Sequence, residues 1–151
     1  MRPVVVIGLG NPLMTDEGVG LRVIRALAAD ALAFPDADLV EAGTGGMALL
    51  HVIAGRRKAV FVDCALMGEP PGTLRRFAPG DVRSVKRLAG FSLHEGDLLA
   101  VIETARRIGE CPAEVAIVGI EPVLVAPGEG LSPEIERRLP EYAAAVRCEI
   151  G

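Results

Sequence analysis

Three residues of the types that bind metal ions or move protons stand at the ends of predicted elements. Glu17 follows the first predicted strand, Asp63 follows the third, and His94 lies in the first turn of a later helix. The carboxyl ends of parallel strands meet at one edge of a sheet, so Glu17 and Asp63 are expected to lie there, within reach of His94. Two carboxylates and a neutral imidazole suit a first-row divalent metal ion.

Each of these residues also has a simpler interpretation. Asp16 and Glu17 can serve only to stabilise a helix start, because carboxylates are favoured at the positive end of a helix dipole. Asp63 can mark the point at which the chain leaves the core, and His94 can be a surface residue in a helical first turn. The metal-site hypothesis therefore depends on the three residues meeting at one edge.

The hydrophobic pattern predicts strands that alternate with helices. Short runs of β-branched residues are typical of buried strands, and apolar residues at helical spacing separate them. Strands are predicted at Val4–Ile7, Asp38–Glu41, Ala59–Val62, Thr73–Phe77 and Val115–Ile120, and helices at Glu17–Leu32, at Met47–Ala54, from Ser92 and from Pro133. This order predicts an α/β fold, a three-layer αβα sandwich around a mostly parallel sheet, with Thr73–Phe77 as an edge strand that can be antiparallel.

Local signals predict how several helices begin or bend. Thr15 or Asp16 is expected to cap the first helix. Ser92 and Glu95 match a capping box, and Pro140 is expected to kink the last helix.

The composition indicates one soluble, cytoplasmic domain over residues 1–151, and we expect a monomer. Half of the 151 residues are apolar, and the net charge is −4. The absence of a basic stripe disfavours nucleic acid as a partner, and no apolar run is long enough for a membrane span. Three cysteines without a CxxC pair exclude a zinc ribbon. Cys64 is expected to pack as a small apolar residue rather than act as a nucleophile.

The glycine-rich segment from Gly8 to Gly20 also has the strand–turn–helix setting of a dinucleotide site. Its sixth position, where the G-x-G-x-x-G pattern needs Gly or Ala, is Leu13. Asp16 and Glu17 place negative charge where a pyrophosphate would bind. A nucleotide-binding domain is therefore the weaker interpretation.

Five motifs resemble, in order, those of the hydrogenase maturation endopeptidases. They are the segment from Gly8 to Gly20 (GLGNPLMTDEGVG), the segment from Glu41 to Gly46 (EAGTGG), Val62-Asp63, Ser92-Leu-His94, and the segment from Val118 to Pro122 (VGIEP). The similarity runs nearly from end to end. Glu41 departs from the family, since many relatives are expected to have Asp there, and it is assigned no role.

The resemblance implies a fold of the phosphorylase/hydrolase-like type and an endopeptidase activity. Such enzymes remove a C-terminal extension from the large-subunit precursor of a nickel–iron hydrogenase after nickel has been inserted. The residues that match the family's nickel ligands are Glu17, Asp63 and His94. The nickel would be carried by the substrate, and the free protein would be open to another divalent cation.

The resemblance leaves two routes to water activation open. Either the metal polarises the carbonyl and activates water, or a carboxylate, Asp16 or Asp63, acts as the general base of an aspartyl-type endopeptidase. The loop of Gly43, Thr44 and Gly45 is expected to let the substrate backbone approach closely, although a tight turn is the simpler interpretation.

Two rival functions share part of the pattern. Peptidyl-tRNA hydrolases also have Gly-Leu-Gly-Asn-Pro after their first strand, but their next Gly is Leu13 here and their later Arg-His-Asn element is missing. A non-enzymatic nickel chaperone of hydrogenase assembly would use the same ligands and cut nothing. Cleavage of a precursor distinguishes the chaperone from the protease.

Overall fold

The computed structural model describes residues 1–30, 33–43, 46–81 and 96–151. Their strands are β1 (Val4–Leu9), β2 (Ala37–Gly43), β3 (Lys58–Cys64), β4 (Leu74–Phe77) and β5 (Glu114–Ile120). These strands form one sheet in the order β2-β1-β3-β5-β4. All pairs are parallel except β4 with β5, which is antiparallel, so the predicted edge strand is confirmed.

Helices cover both faces of the sheet. One face packs against α1 (Val19–Ala28) and α4 (Pro133–Ile150), and the other packs against α2 (Leu49–Ile53) and α3 (Gly96–Arg107). The side chains of successive strand residues pack in the cores on opposite faces of the sheet, because side chains alternate along a strand. On β1, Val4 and Val6 face α1, whereas Val5 and Ile7 face α2 and α3. The predicted three-layer αβα sandwich is confirmed.

The register places the carboxyl ends of the central strands side by side. Gly8 of β1 pairs with Glu41 of β2 on one side and with Val62 of β3 on the other. Asp63 of β3 pairs in turn with Gly119 of β5. The segments that follow these strands therefore leave the sheet along the same edge, which we name the carboxyl edge.

Glycines allow the start of α1 to pack directly onto this edge. A Cβ atom at Gly20 would overlap the backbone carbonyl oxygens of Val62 and Leu9, and one at Gly8 would overlap Gly20 and Ile24. The Gly-x-Gly pairs at both ends of the first motif thus permit a close helix–strand approach. Because backbone occupies this space, the motif has a structural function independent of any nucleotide.

The start of α1 differs from the sequence prediction. A 3-10 turn, Thr15–Gly18, comes first, and α1 itself begins at Val19. Its N-cap is Gly18, with no side-chain hydrogen bond to the helix end. The prediction that Thr15 or Asp16 caps α1 is therefore wrong, because both side chains bond to a distant loop instead.

Other local predictions have mixed outcomes. α4 has Pro133 at its start, as predicted, and is one helix that runs through Pro140. The predicted end of the first helix, Leu32, and the predicted capping box of Ser92 and Glu95 lie outside the described residues.

The close packing at Gly20 gives a stability prediction. We expect Gly20→Ala to lower the free energy of unfolding by about 1–3 kcal/mol, because overpacked cores lose this much. The sign of this change in the free energy of unfolding is informative, because Ala is otherwise favoured over Gly in a helix by roughly 0.5–1 kcal/mol. Gly80→Ala is the matched control, because no atom of the described residues lies within 4 Å of its Cβ position. Urea denaturation measures the free energy of unfolding of both variants. An unfolding midpoint for Gly20→Ala equal to that of the wild type would contradict the close packing at Gly20.

Candidate active site

Buried acidic side chains are concentrated at the carboxyl edge. Among the described residues, the buried charged side chains are those of Asp16 and Asp63, each 0% exposed, Glu121 at 6% and Glu17 at 8%. Asp16 and Glu17 lie in the turn after β1, Asp63 is in the last part of β3, and Glu121 follows β5. Burying a carboxylate is costly without compensating contacts, so a cluster of this kind needs a specific reason.

Asp63 projects toward the sheet face that α3 covers. Phe61, two residues earlier on β3, packs in the core with Leu98 of α3, and alternation directs Asp63 to that same face. α3 ends shortly before β5 begins at the opposite edge, so the start of α3 faces the carboxyl edge. His94, the third predicted ligand, precedes that start by two residues in the sequence and lies outside the described residues.

Glu17 and Asp63 share one electrostatic environment. The pKa of the Cys64 thiol is raised well above its ordinary value, chiefly by burial and then by the charges of Asp63 and Glu17, with smaller effects from Asp16 and Glu121. All four carboxylates therefore lie near this thiol. Glu17, in the turn after β1, and Asp63, near the end of β3, thus lie at the same carboxyl edge and near the same thiol.

Cys64 itself belongs to the apolar core. It is buried and packs with the cluster on the α1 and α4 face, opposite to Asp63. A thiol whose pKa is raised by burial and by four carboxylates stays protonated at neutral pH, and the thiolate is the nucleophilic form. This environment agrees with the prediction that Cys64 is a packing residue.

Asp16 is occupied by the loop that follows β5. Its Oδ2 atom accepts hydrogen bonds from the Val123 and Leu124 amides, both at 2.9 Å, and from the Ser132 hydroxyl at 2.7 Å. Its Oδ1 atom accepts one from the Ser132 amide at 2.6 Å. Four donors use most of the acceptor capacity of this carboxylate. The geometry gives Asp16 a structural role, since its carboxylate fixes the loop that follows β5.

Glu121 holds the loop that follows β3. Its Oε1 atom accepts hydrogen bonds from the Met67 amide at 2.8 Å and the Glu69 amide at 3.1 Å. Its main chain also pairs with Thr73 and Gly72. Sequence reasoning noted Glu121 only as part of a motif. The signal that could have found it is an acidic residue directly after a fully buried strand.

The second glycine-rich element is only partly described. Gly43 ends β2 with φ of 59°, a conformation that favours glycine, and no atom of the described residues lies within 4 Å of its Cβ position. Thr44 and Gly45, the other predicted loop residues, lie outside the described residues. The positive φ of Gly43 supports the tight turn.

Glu41 and His51 have surface roles. Glu41 accepts a hydrogen bond from Arg25 of α1 at 3.0 Å, and both side chains are well exposed. An exposed pair of this kind contributes little to stability, about 0–1 kcal/mol. His51 is exposed on α2.

Comparison with known proteins identifies the family. The family model described as hydrogenase maturation protease matches residues 21–148. The chain belongs to this family. It is 31% identical over 134 residues to the hydrogenase 2 maturation protease of Escherichia coli, covering 88% of this chain and 81% of the relative. The fold matches the hydrogenase maturating endopeptidase HybD from E. coli with a TM-score of 0.85 and 29% identity, over 99% of this chain and 92% of that one.

Some relatives in this family are considerably longer. The hydrogenase expression/formation protein HupD of Thiocapsa roseopersicina is 30% identical over 137 residues, or 90% of this chain. The match covers only 62% of HupD. The resemblance inferred from the five motifs is thus confirmed at the level of the family.

The described residues do not include His94 or the rest of residues 82–95. Within that limit, no group of three or more His, Cys, Asp or Glu side chains is placed to hold a metal ion. No helix among the described residues has the length and apolar character needed to cross a membrane.

The hydrogen bonds of Asp16 give a prediction about local stability. We expect Asp16→Ala to lower the free energy of unfolding by at least about 2 kcal/mol, because each buried donor left unsatisfied costs about 1–3 kcal/mol. Ser132→Ala removes only the hydroxyl donor and should cost about 1 kcal/mol. Denaturation gives the totals, and hydrogen exchange should show faster exchange at the Val123 and Leu124 amides in Asp16→Ala. Unchanged exchange at these amides would contradict the assigned role.

Proposed function

We propose that this chain is an endopeptidase that removes the C-terminal extension of a nickel–iron hydrogenase large-subunit precursor after nickel has been inserted. The observation that carries this proposal is that Glu17 and Asp63 are both buried at the carboxyl edge, in a chain of the hydrogenase maturation protease family. Ligands in open α/β sheets bind at this edge. The resemblance to HybD extends over nearly the whole of both chains, so the same edge is available in both folds.

The nickel is part of the substrate in this proposal. Carboxylate oxygens from Glu17 and Asp63 and an imidazole nitrogen from His94 form a ligand set that a first-row divalent metal accepts. Three protein donors leave coordination positions for the ligands that the precursor supplies. Recognition of the loaded metal would restrict cleavage to precursors that have completed nickel insertion.

Asp63 has the environment of a general base or a metal ligand rather than that of a surface carboxylate. It is completely buried on the face toward the start of α3. Asp16 is less suited to proton transfer, because four hydrogen bonds hold its carboxylate. A base must be within hydrogen-bond reach of the water that it activates. We therefore assign proton transfer, where a carboxylate performs it, to Asp63.

The setting of the reaction is also part of the proposal. We propose a cytoplasmic monomer that acts on a protein and not on nucleic acid. The net charge of −4 and the four buried carboxylates at the carboxyl edge support the exclusion of nucleic acid, because both oppose the approach of a phosphate backbone.

Intact-mass measurement with nickel-loaded and nickel-free precursor tests the function. We expect loss of a C-terminal fragment only from the nickel-loaded precursor. Glu17→Gln, Asp63→Asn and His94→Ala should each slow cleavage about 100-fold or more, the range expected when a metal ligand or general base is lost. Glu110→Gln changes an exposed glutamate in the turn between α3 and β5, away from the carboxyl edge, and is the matched control.

The remaining outcomes separate the alternatives. Binding of the loaded precursor without any loss of mass would favour a nickel chaperone over a protease. Equal cleavage of the nickel-free precursor would contradict recognition through the metal while leaving the peptidase activity in place.

A further inference from the structure

Exposed apolar side chains are concentrated at the carboxyl edge. Among the described residues, eight large apolar side chains are exposed, and two of them lie away from this edge, Met1 at the chain start and Ile108 after α3. The other six follow β1, β2, β3 or β5 at the carboxyl edge: Leu13, Met47, Leu66, Val123, Leu124 and Val125. Contiguous exposed apolar surface on a folded protein commonly marks an interaction site.

Four of these side chains belong to two segments that are bonded to each other. Leu13 is 59% exposed and Leu124 is 50% exposed, with Val123 and Val125 close to that value. The Gly128 amide donates to the Leu13 carbonyl at 2.9 Å, and the Thr15 hydroxyl donates to the Leu124 carbonyl at 2.7 Å. We name Leu13 and Val123–Val125 the apolar lip.

The lip is fixed in its exposed position. The amides of Val123 and Leu124 bond to the buried Asp16, and the Ala126 amide bonds to Thr15. These main-chain bonds prevent the segment from turning its side chains into the core. Residues 122–128, with the sequence PVLVAPG, also carry no charge. Within the described part of the chain, nothing covers the lip.

The lip is continuous with the candidate active site. Leu13 precedes Glu17 by four residues, and Val123 follows Glu121 by two, so the same segments carry the lip and the buried carboxylates. A polypeptide bound at this edge near Glu17 is therefore placed to contact the lip. The occupant that this position favours is the protein that is cleaved.

A groove lies beside the lip. Its volume is about 330 Å³, and its lining includes Leu13, the arginines Arg22 and Arg25, and the exposed Glu129. Both arginines are paired within the chain, Arg22 with Glu136 at 2.6 Å and Arg25 with Glu41 at 3.0 Å. The groove therefore offers apolar surface from Leu13 and a carboxylate at Glu129 next to the lip.

We propose that the apolar lip binds the hydrogenase large-subunit precursor through apolar side chains that flank its C-terminal extension. This inference rests on the proposed function, because it takes its occupant from the cleavage reaction. The lip adds affinity for the protein, while Glu17 and Asp63 act at the cleavage point. Substitutions in the lip should therefore change KM and leave kcat unchanged.

The test compares lip variants with a matched exposed residue. We expect Leu124→Ser and Leu13→Ser each to raise KM for the nickel-loaded precursor about tenfold, since each removes apolar area that binding would bury. Their kcat and unfolding midpoints should stay at the wild-type values, because the hydrogen bonds of these residues are main-chain bonds. Ile108→Ser is the control, since Ile108 is 60% exposed and distant from the carboxyl edge.

Binding separates the failure of the lip from the failure of the proposed function. Immobilised nickel-loaded precursor reports the dissociation constant for each variant. Weaker binding by both lip variants would support the lip as a binding surface. If the wild-type protein in the same experiment cleaved nothing, the proposed peptidase activity would be overturned. Cleavage by all variants with equal KM would overturn the lip alone. A wild-type dimer in light scattering that Leu124→Ser converts to a monomer would assign the lip to a second copy of the chain and overturn the proposal.

Discussion

The hydrogen bonds of Asp16 hold together the edge of the molecule on which its activity depends. One buried carboxylate connects the turn after β1 to the loop after β5 and to the start of α4, through three amides and a hydroxyl. Glu121 does the same for the loop after β3. Two of the four buried acidic residues thus fix loops, and the other two, Glu17 and Asp63, are the carboxylates that the proposed function assigns to the reaction.

Close glycine packing sets the position of this edge. Gly20 allows α1 to begin directly against β1 and β3, so the turn that carries Glu17 is held beside the end of β3, where Asp63 lies. A larger residue would separate the two carboxylates by moving the turn away from the sheet. The same glycines that resemble a nucleotide-binding pattern therefore serve to bring acidic side chains together, and the negative charge excludes phosphate.

The sequence predicts the fold and the edge at which Glu17 and Asp63 lie. It does not predict the hydrogen bonds that fix the loops at this edge. Buried strands are recognised in the sequence by their β-branched residues, and the ends of these strands predict where Glu17 and Asp63 lie. Asp16 was interpreted as a helix cap or a base because its donors are backbone amides more than a hundred residues away, at Val123, Leu124 and Ser132. No side-chain pattern marks such amides in the sequence. His94 stays a predicted ligand.

Nickel X-ray absorption tests the central claim most directly. The spectrum of the nickel-loaded precursor would be recorded alone and in a sample frozen immediately after mixing with an equal amount of this protein. We predict that oxygen and nitrogen donors are added to the nickel shell on mixing, and that Glu17→Gln and Asp63→Asn each reduce the gain. A nickel shell that stays unchanged while the precursor is bound would contradict the account.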